Sequence, residues 1–67
     1  MKIKVNGKPY ELERIRTVSE VLKHFEVNQP NGIAVALNLN VVKHSDFENT
    51  AIKDGDEIEI IRAVQGG

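Results

Sequence analysis

A capping box constrains more than any other feature what this chain can fold into. In Thr17-Val18-Ser19-Glu20 the Thr17 hydroxyl can accept from the amide three residues on while Glu20 reaches back, so a helix begins here. Behind it Val18, Val21, Leu22 and Phe25 fall at i, i+3, i+4 and i+7, one apolar stripe, with Glu20, Lys23 and Glu26 turned to water. Asn28 to Gly32, reading NQPNG, is expected to stop it. A single helix with one apolar stripe, flanked by strands, is most simply buried against one face of a mixed sheet.

The flanks supply those strands. Met1, Ile3 and Val5 alternate with Lys2, Lys4 and Asn6, and Asn6-Gly7 is a strong hairpin signal, which makes Pro9 to Arg14 the returning strand with Tyr10 and Leu12 inward. Beyond the helix, Ile33 to Leu37 reads as a strand and Val41-Val42 begins another after a turn at Asn38-Leu39-Asn40. Asp46 to Asn49, around Phe47, reads as an irregular or single-turn connection. Lys53-Asp54-Gly55-Asp56 is a tight turn, and Glu57 to Val64 is the last strand. The expected order is strand, strand, helix, strand, strand, strand, in one domain.

Composition narrows the function. Sixty-seven residues bury only about 60% of their unfolded surface, too little for a deep catalytic pocket. Nine Lys plus Arg against ten Asp plus Glu give a net charge of -1, no footprint for nucleic acid or an anionic membrane. The absence of cysteine excludes disulfides, thiolate metal sites and cargo carried on a thiol. The start MKIKVNGK lacks the pattern of a secretion signal, and a soluble cytoplasmic protein is expected. His24 and His44 lack ligand spacing, and DGD lacks the remaining positions of a calcium loop, so no metal site is expected. Neighbours His44-Ser45-Asp46 point apart and read as a polar loop, leaving no catalytic residue to assign.

The end of the chain, RAVQGG, is the remaining candidate. On the last strand Ile58 and Ile60 face the helix, while Glu57, Glu59, Ile61 and Ala63 share the other face. A bulge near Ile60-Ile61 would bury both; without one, Ile61 leaves an apolar spot among carboxylates on the open face. Three residues beyond Val64 reach about 10 Å, and bare glycine backbone enters a tunnel too narrow for other residues. Its carboxylate becomes reactive once ATP converts it to an acyl adenylate.

The whole chain resembles the sulfur-carrier (ThiS) family of thiamine biosynthesis, most specifically over Asp54-Gly55-Asp56-Glu57-Ile58-Glu59-Ile60-Ile61-Arg62-Ala63-Val64-Gln65-Gly66-Gly67, with Val35-Ala36-Leu37-Asn38, Val41-Val42 and Ser45 in support. The resemblance implies an α+β, ubiquitin-like beta-grasp domain over 1–64, about five mixed strands on one helix, and a flexible tail over 65–67. It implies a non-enzyme, monomeric when free, with no bound cofactor. Gly67 would carry the adenylate and then the thiocarboxylate, Gly66 and Gln65 would enter the partner's active site, and Ile61, Ala63 and Val64 would dock. The implied partners are an adenylating enzyme related to ubiquitin-activating enzymes, which uses ATP, a cysteine desulfurase or sulfurtransferase, and thiazole synthase. The chain departs from the family pattern at Leu39, Lys43-His44, Phe47 and Gln65. The small subunit of molybdopterin synthase, a ubiquitin-like modifier joined through Gly67, and an interaction module with a frayed tail remain alternatives.

Overall fold

The computed structural model describes residues 1–27 and 32–62. In chain order the elements are β1 (Lys2–Val5), β2 (Lys8–Glu11), α1 (Val18–His24), β3 (Ile33–Leu37), β4 (Asn40–Val42), a 3₁₀ turn (His44–Asp46) and β5 (Glu57–Arg62). The expected order holds throughout. Asn6 and Gly7 take φ of 52° and 84°, the two left-handed residues whose twist suits a two-residue hairpin, and β1 pairs antiparallel with β2. The strand β2 is shorter than Pro9 to Arg14 because Arg14, at φ 62°, turns the chain away. Leu12 is nonetheless buried, its N–H donating to the Met1 carbonyl at 2.8 Å.

The helix starts as expected. Glu20 N–H donates to Thr17 Oγ1 at 3.2 Å and Thr17 N–H donates to Glu20 Oε1 at 3.1 Å, a reciprocal capping box. The free amides of Val18 and Ser19 donate to the carbonyls of Thr50 and Phe47, so the connection before β5 closes over the helix start. The helix end is a correction, since it precedes NQPNG. Glu26 takes φ 62°, and the bonds Glu26 N–H to Lys23 O and Val27 N–H to Leu22 O form the paired Schellman stop. Burial of Val27 draws the chain round before any of the turn residues is reached. Residues 28–31 of that expected stop lie outside the described residues.

The five strands run β2-β1-β5-β3-β4, so the last strand in sequence is the middle one in space. It is parallel to β1 and antiparallel to β3. Ile3, Val5, Ile33, Val35 and Ile58 from the sheet meet Val18, Val21 and Leu22 from the helix, and Phe47 and Ile52 close the side. The result is a two-layer α+β fold with one covered and one open sheet face.

The turn between β3 and β4 is strained. Asn38 and Leu39 take φ of 50° and 72°, and Leu39 is 85% exposed, so its side chain is given an unfavourable backbone with no packing in return. Relief of the left-handed penalty outweighs the added freedom of glycine in the unfolded chain. Leu39→Gly is expected to stabilise the domain by about 0.5–1 kcal/mol, raising Tm by about 2–8 °C in a thermal scan. An unchanged or lower Tm would mean that Leu39 contributes a contact the exposed turn does not suggest.

Candidate functional site

The candidate site is built on β5, and turn chemistry fixes where that strand starts. Gly55, at φ 89°, lets Lys53-Asp54-Gly55-Asp56 reverse tightly. Asp54 Oδ1 accepts from Lys2 N–H at 2.7 Å and Asp56 Oδ2 accepts from Lys53 N–H at 2.7 Å, so both carboxylates serve the backbone. From the other side Asn38 Oδ1 accepts from Glu57 N–H at 2.9 Å while its Nδ2 donates to Asp56 Oδ1 at 3.0 Å. These bonds tie the start of β5 to β1 and to the β3–β4 turn, and so set its register against both.

That register places the docking candidate. Pairing with β3 is continuous from Leu37 opposite Ile58 to Ile33 opposite Arg62, with no residue left over for a bulge. Ile58 is therefore buried at 1% exposure and Ile61, on the opposite face, is 55% exposed. Ala34 lies directly across from Ile61, and Ala36 lies across from both Glu59 and Val41. Ile61, Ala34, Ala36 and Val41 thus share one face of three adjacent strands, with Val41 79% exposed. Glu57 and Glu59 border this apolar strip, and Lys4 lies 3.8 Å from Glu57 in an exposed ion pair of little energetic weight. The strip is wider than the spot expected on β5 at Ile61 and Ala63, since it reaches β3 and β4. The reading of Ile33 to Leu37 as a strand assigned no face to Ala34 and Ala36; the signal that could have found them is its period-two alternation, and only register shows that Val41 joins them.

The structure does not bring the two histidines together. Nε2 of His44 donates to the Ile33 carbonyl at 2.6 Å, just past the point where β4 stops covering β3. The His24 ring packs edge-on against Phe25. Among the described residues no three His, Asp or Glu side chains form a metal-binding group, and no helix is long and apolar enough to cross a membrane. Ala63, Val64, Gln65, Gly66 and Gly67, the other expected site residues, lie outside the described residues.

Comparison with known proteins decides among the small folds that such a sheet and tail suit. The ThiS family model matches residues 3–67. This chain belongs to the ThiS family. A sulfur carrier protein ThiS of Thermus thermophilus is 35% identical over 63 residues, covering 94% of this chain and 95% of that protein. A thiazole synthase of Paramagnetospirillum magneticum is 33% identical over 67 residues, all of this chain but only 20% of that relative's length. The crystal structure of a thiamine biosynthesis protein (ThiS) from Geobacter metallireducens superposes with a TM-score of 0.85 at 35% identity, covering 100% of both chains. The ThiS fold is the ubiquitin-like beta-grasp, and the strand order and single helix seen here are those of a ThiS protein.

Proposed function

We propose that this chain carries sulfur on Gly67 for construction of the thiazole ring of thiamine. The observation that carries the proposal is the ThiS family match, which runs from residue 3 through both glycines to residue 67. On this view an oxygen of the Gly67 carboxylate attacks the α-phosphorus of ATP in an adenylating partner and pyrophosphate leaves. The terminal sulfur of a persulfide, which a desulfurase or sulfurtransferase forms from cysteine, then attacks the acyl carbon and AMP leaves, giving an acyl disulfide. A thiol of the partner cleaves its S–S bond, releasing the thiocarboxylate and becoming part of a new disulfide. The chain supplies neither acid nor base to these steps; it supplies an unhindered acyl group and a surface by which it is recognised. The likeness of the whole chain to part of a thiazole synthase supports that class of enzyme as the recipient of the sulfur.

Intact-mass analysis of the chain purified from sulfur-replete cells tests the proposal. The expected result is a species in which one oxygen has been exchanged for sulfur, located at Gly67 by fragmentation. Only unmodified chain, or covalent conjugates of high mass, would overturn it, the second favouring a modifier.

The strip on the open face is the proposed contact for the adenylating enzyme. Ile61→Asp replaces its exposed centre with a carboxylate beside Glu59 without touching the core. It is expected to weaken binding to that enzyme by about 1–2 kcal/mol, roughly five- to thirtyfold, with Tm little changed. Unaltered affinity by titration calorimetry would place the contact elsewhere.

A further inference from the structure

The strand β5 runs past the end of β1 before it runs past the end of β3. The last paired residues of β1 and β5 are Val5 and Ile58, whereas β3 accompanies β5 as far as Ile33 opposite Arg62. After Val5 the chain turns into the hairpin, with Asn6 N–H still donating to the Ile58 carbonyl at 2.9 Å. The next step of the ladder on that side falls at Ile60. There the Asn6 side chain takes the place of a strand: Oδ1 accepts from Ile60 N–H at 2.7 Å, and Nδ2 donates to the Ile60 carbonyl at 3.3 Å.

The turn itself does not demand asparagine. A left-handed residue is needed at position 6, where φ is 52°, and Asp or Gly also serves in such a hairpin. What distinguishes Asn is a planar group with an acceptor on one side and donors on the other, the complement of one residue's N–H and C=O. Aspartate would keep the acceptor but set a second oxygen against the Ile60 carbonyl, and glycine would offer neither partner.

We propose that Asn6 is a positioning residue for the carrier end of the molecule. Its carboxamide clamps the last part of β5, which bears Ile61 and leads toward Gly67, to the β1–β2 hairpin; this role rests on the sulfur-carrier function proposed above. Without the clamp the end of β5 is held from the β3 side alone. Ile61 and Arg62 are then presented over a range of directions, and the ordering must be supplied when the partner docks.

Asn6→Gly preserves the left-handed turn and removes both bonds, and Asn6→Asp preserves the turn and one of them. Amide hydrogen exchange followed by NMR is expected to show Ile60 exchanging about tenfold faster or more in Asn6→Gly, with Ile58 within about twofold of the parent. In ATP–pyrophosphate exchange with the adenylating enzyme of the same cell, KM for the carrier is expected to rise about three- to tenfold with kcat within about twofold, and Asn6→Asp to fall between. Unchanged Ile60 exchange overturns the clamp. Faster Ile60 exchange with unchanged KM overturns the positioning role, and an equal loss of protection at Ile58 reduces Asn6 to a stability residue and overturns it as well. If the parent chain supports no pyrophosphate exchange, the carrier function falls and the positioning role with it. A parent and variant that are loaded alike remove the positioning role alone.

Discussion

A chain lacking Gly67 is expected to fold as the parent does and to lose thiocarboxylate formation by at least about a hundredfold. The described core is complete without it, since its buried apolar residues end at Ile58 and the last paired residue of β5 is Arg62. Deletion still leaves a glycine carboxylate, that of Gly66, so the chemistry of the acyl group is unaltered. What changes is reach: one residue of chain spans at most roughly 3.3–3.6 Å, several times the misplacement of about 1 Å that can cost a hundredfold in rate. Appending one alanine fails for two reasons, because Gly67 then ends in an amide and the new carboxylate stands one residue too far along behind a methyl group. Cellular thiamine synthesis and intact mass report the loss, and a thermal scan shows that the fold is retained. Sulfur loading of either variant at the parental rate would refute Gly67 as the carrier.

The parts of this molecule written locally were legible in the sequence. Asn6-Gly7 specified a hairpin because both residues tolerate positive φ, and Thr17 with Glu20 specified a helix start because the two bonds close within four residues. The helix end was less legible. Glu26 is a poor left-handed residue by propensity, and it adopts that conformation because Val27 is buried and bonded back to Leu22, a tertiary gain over a local cost. The site divides in the same way. Alternation along β5 placed Ile61 on the open face, but whether a bulge intervened depended on pairing with β3, and the membership of Val41 depended on the register of β4. The Asn6 clamp joins residues 54 apart in sequence and leaves no periodic trace; its side chain was fully accounted for by the turn.

Ile58→Ala is expected to cost about 2–5 kcal/mol, the usual range for emptying a buried isoleucine site. Ile58 is 1% exposed, and its strand is the one held between β1 and β3, with Val5 opposite on one side and Leu37 on the other. A domain of this length has a total stability of about 3–10 kcal/mol, so the substitution removes a large share of it and leaves a substantial unfolded fraction near physiological temperature. Ile61→Ala supplies the control, being the same change three residues along the same strand at a half-exposed position, and is expected to stay within about 0.5 kcal/mol of the parent. Urea titrations of the pair separate burial from strand propensity, since propensity alone would move both alike. A cost below about 1 kcal/mol at Ile58 would show that the core closes over the vacancy without it. The same variant bears on function, because it keeps Gly67 while loosening the domain. Loading in proportion to the folded fraction would mean that the adenylating enzyme recognises the sheet, and undiminished loading would mean that it reads the tail alone.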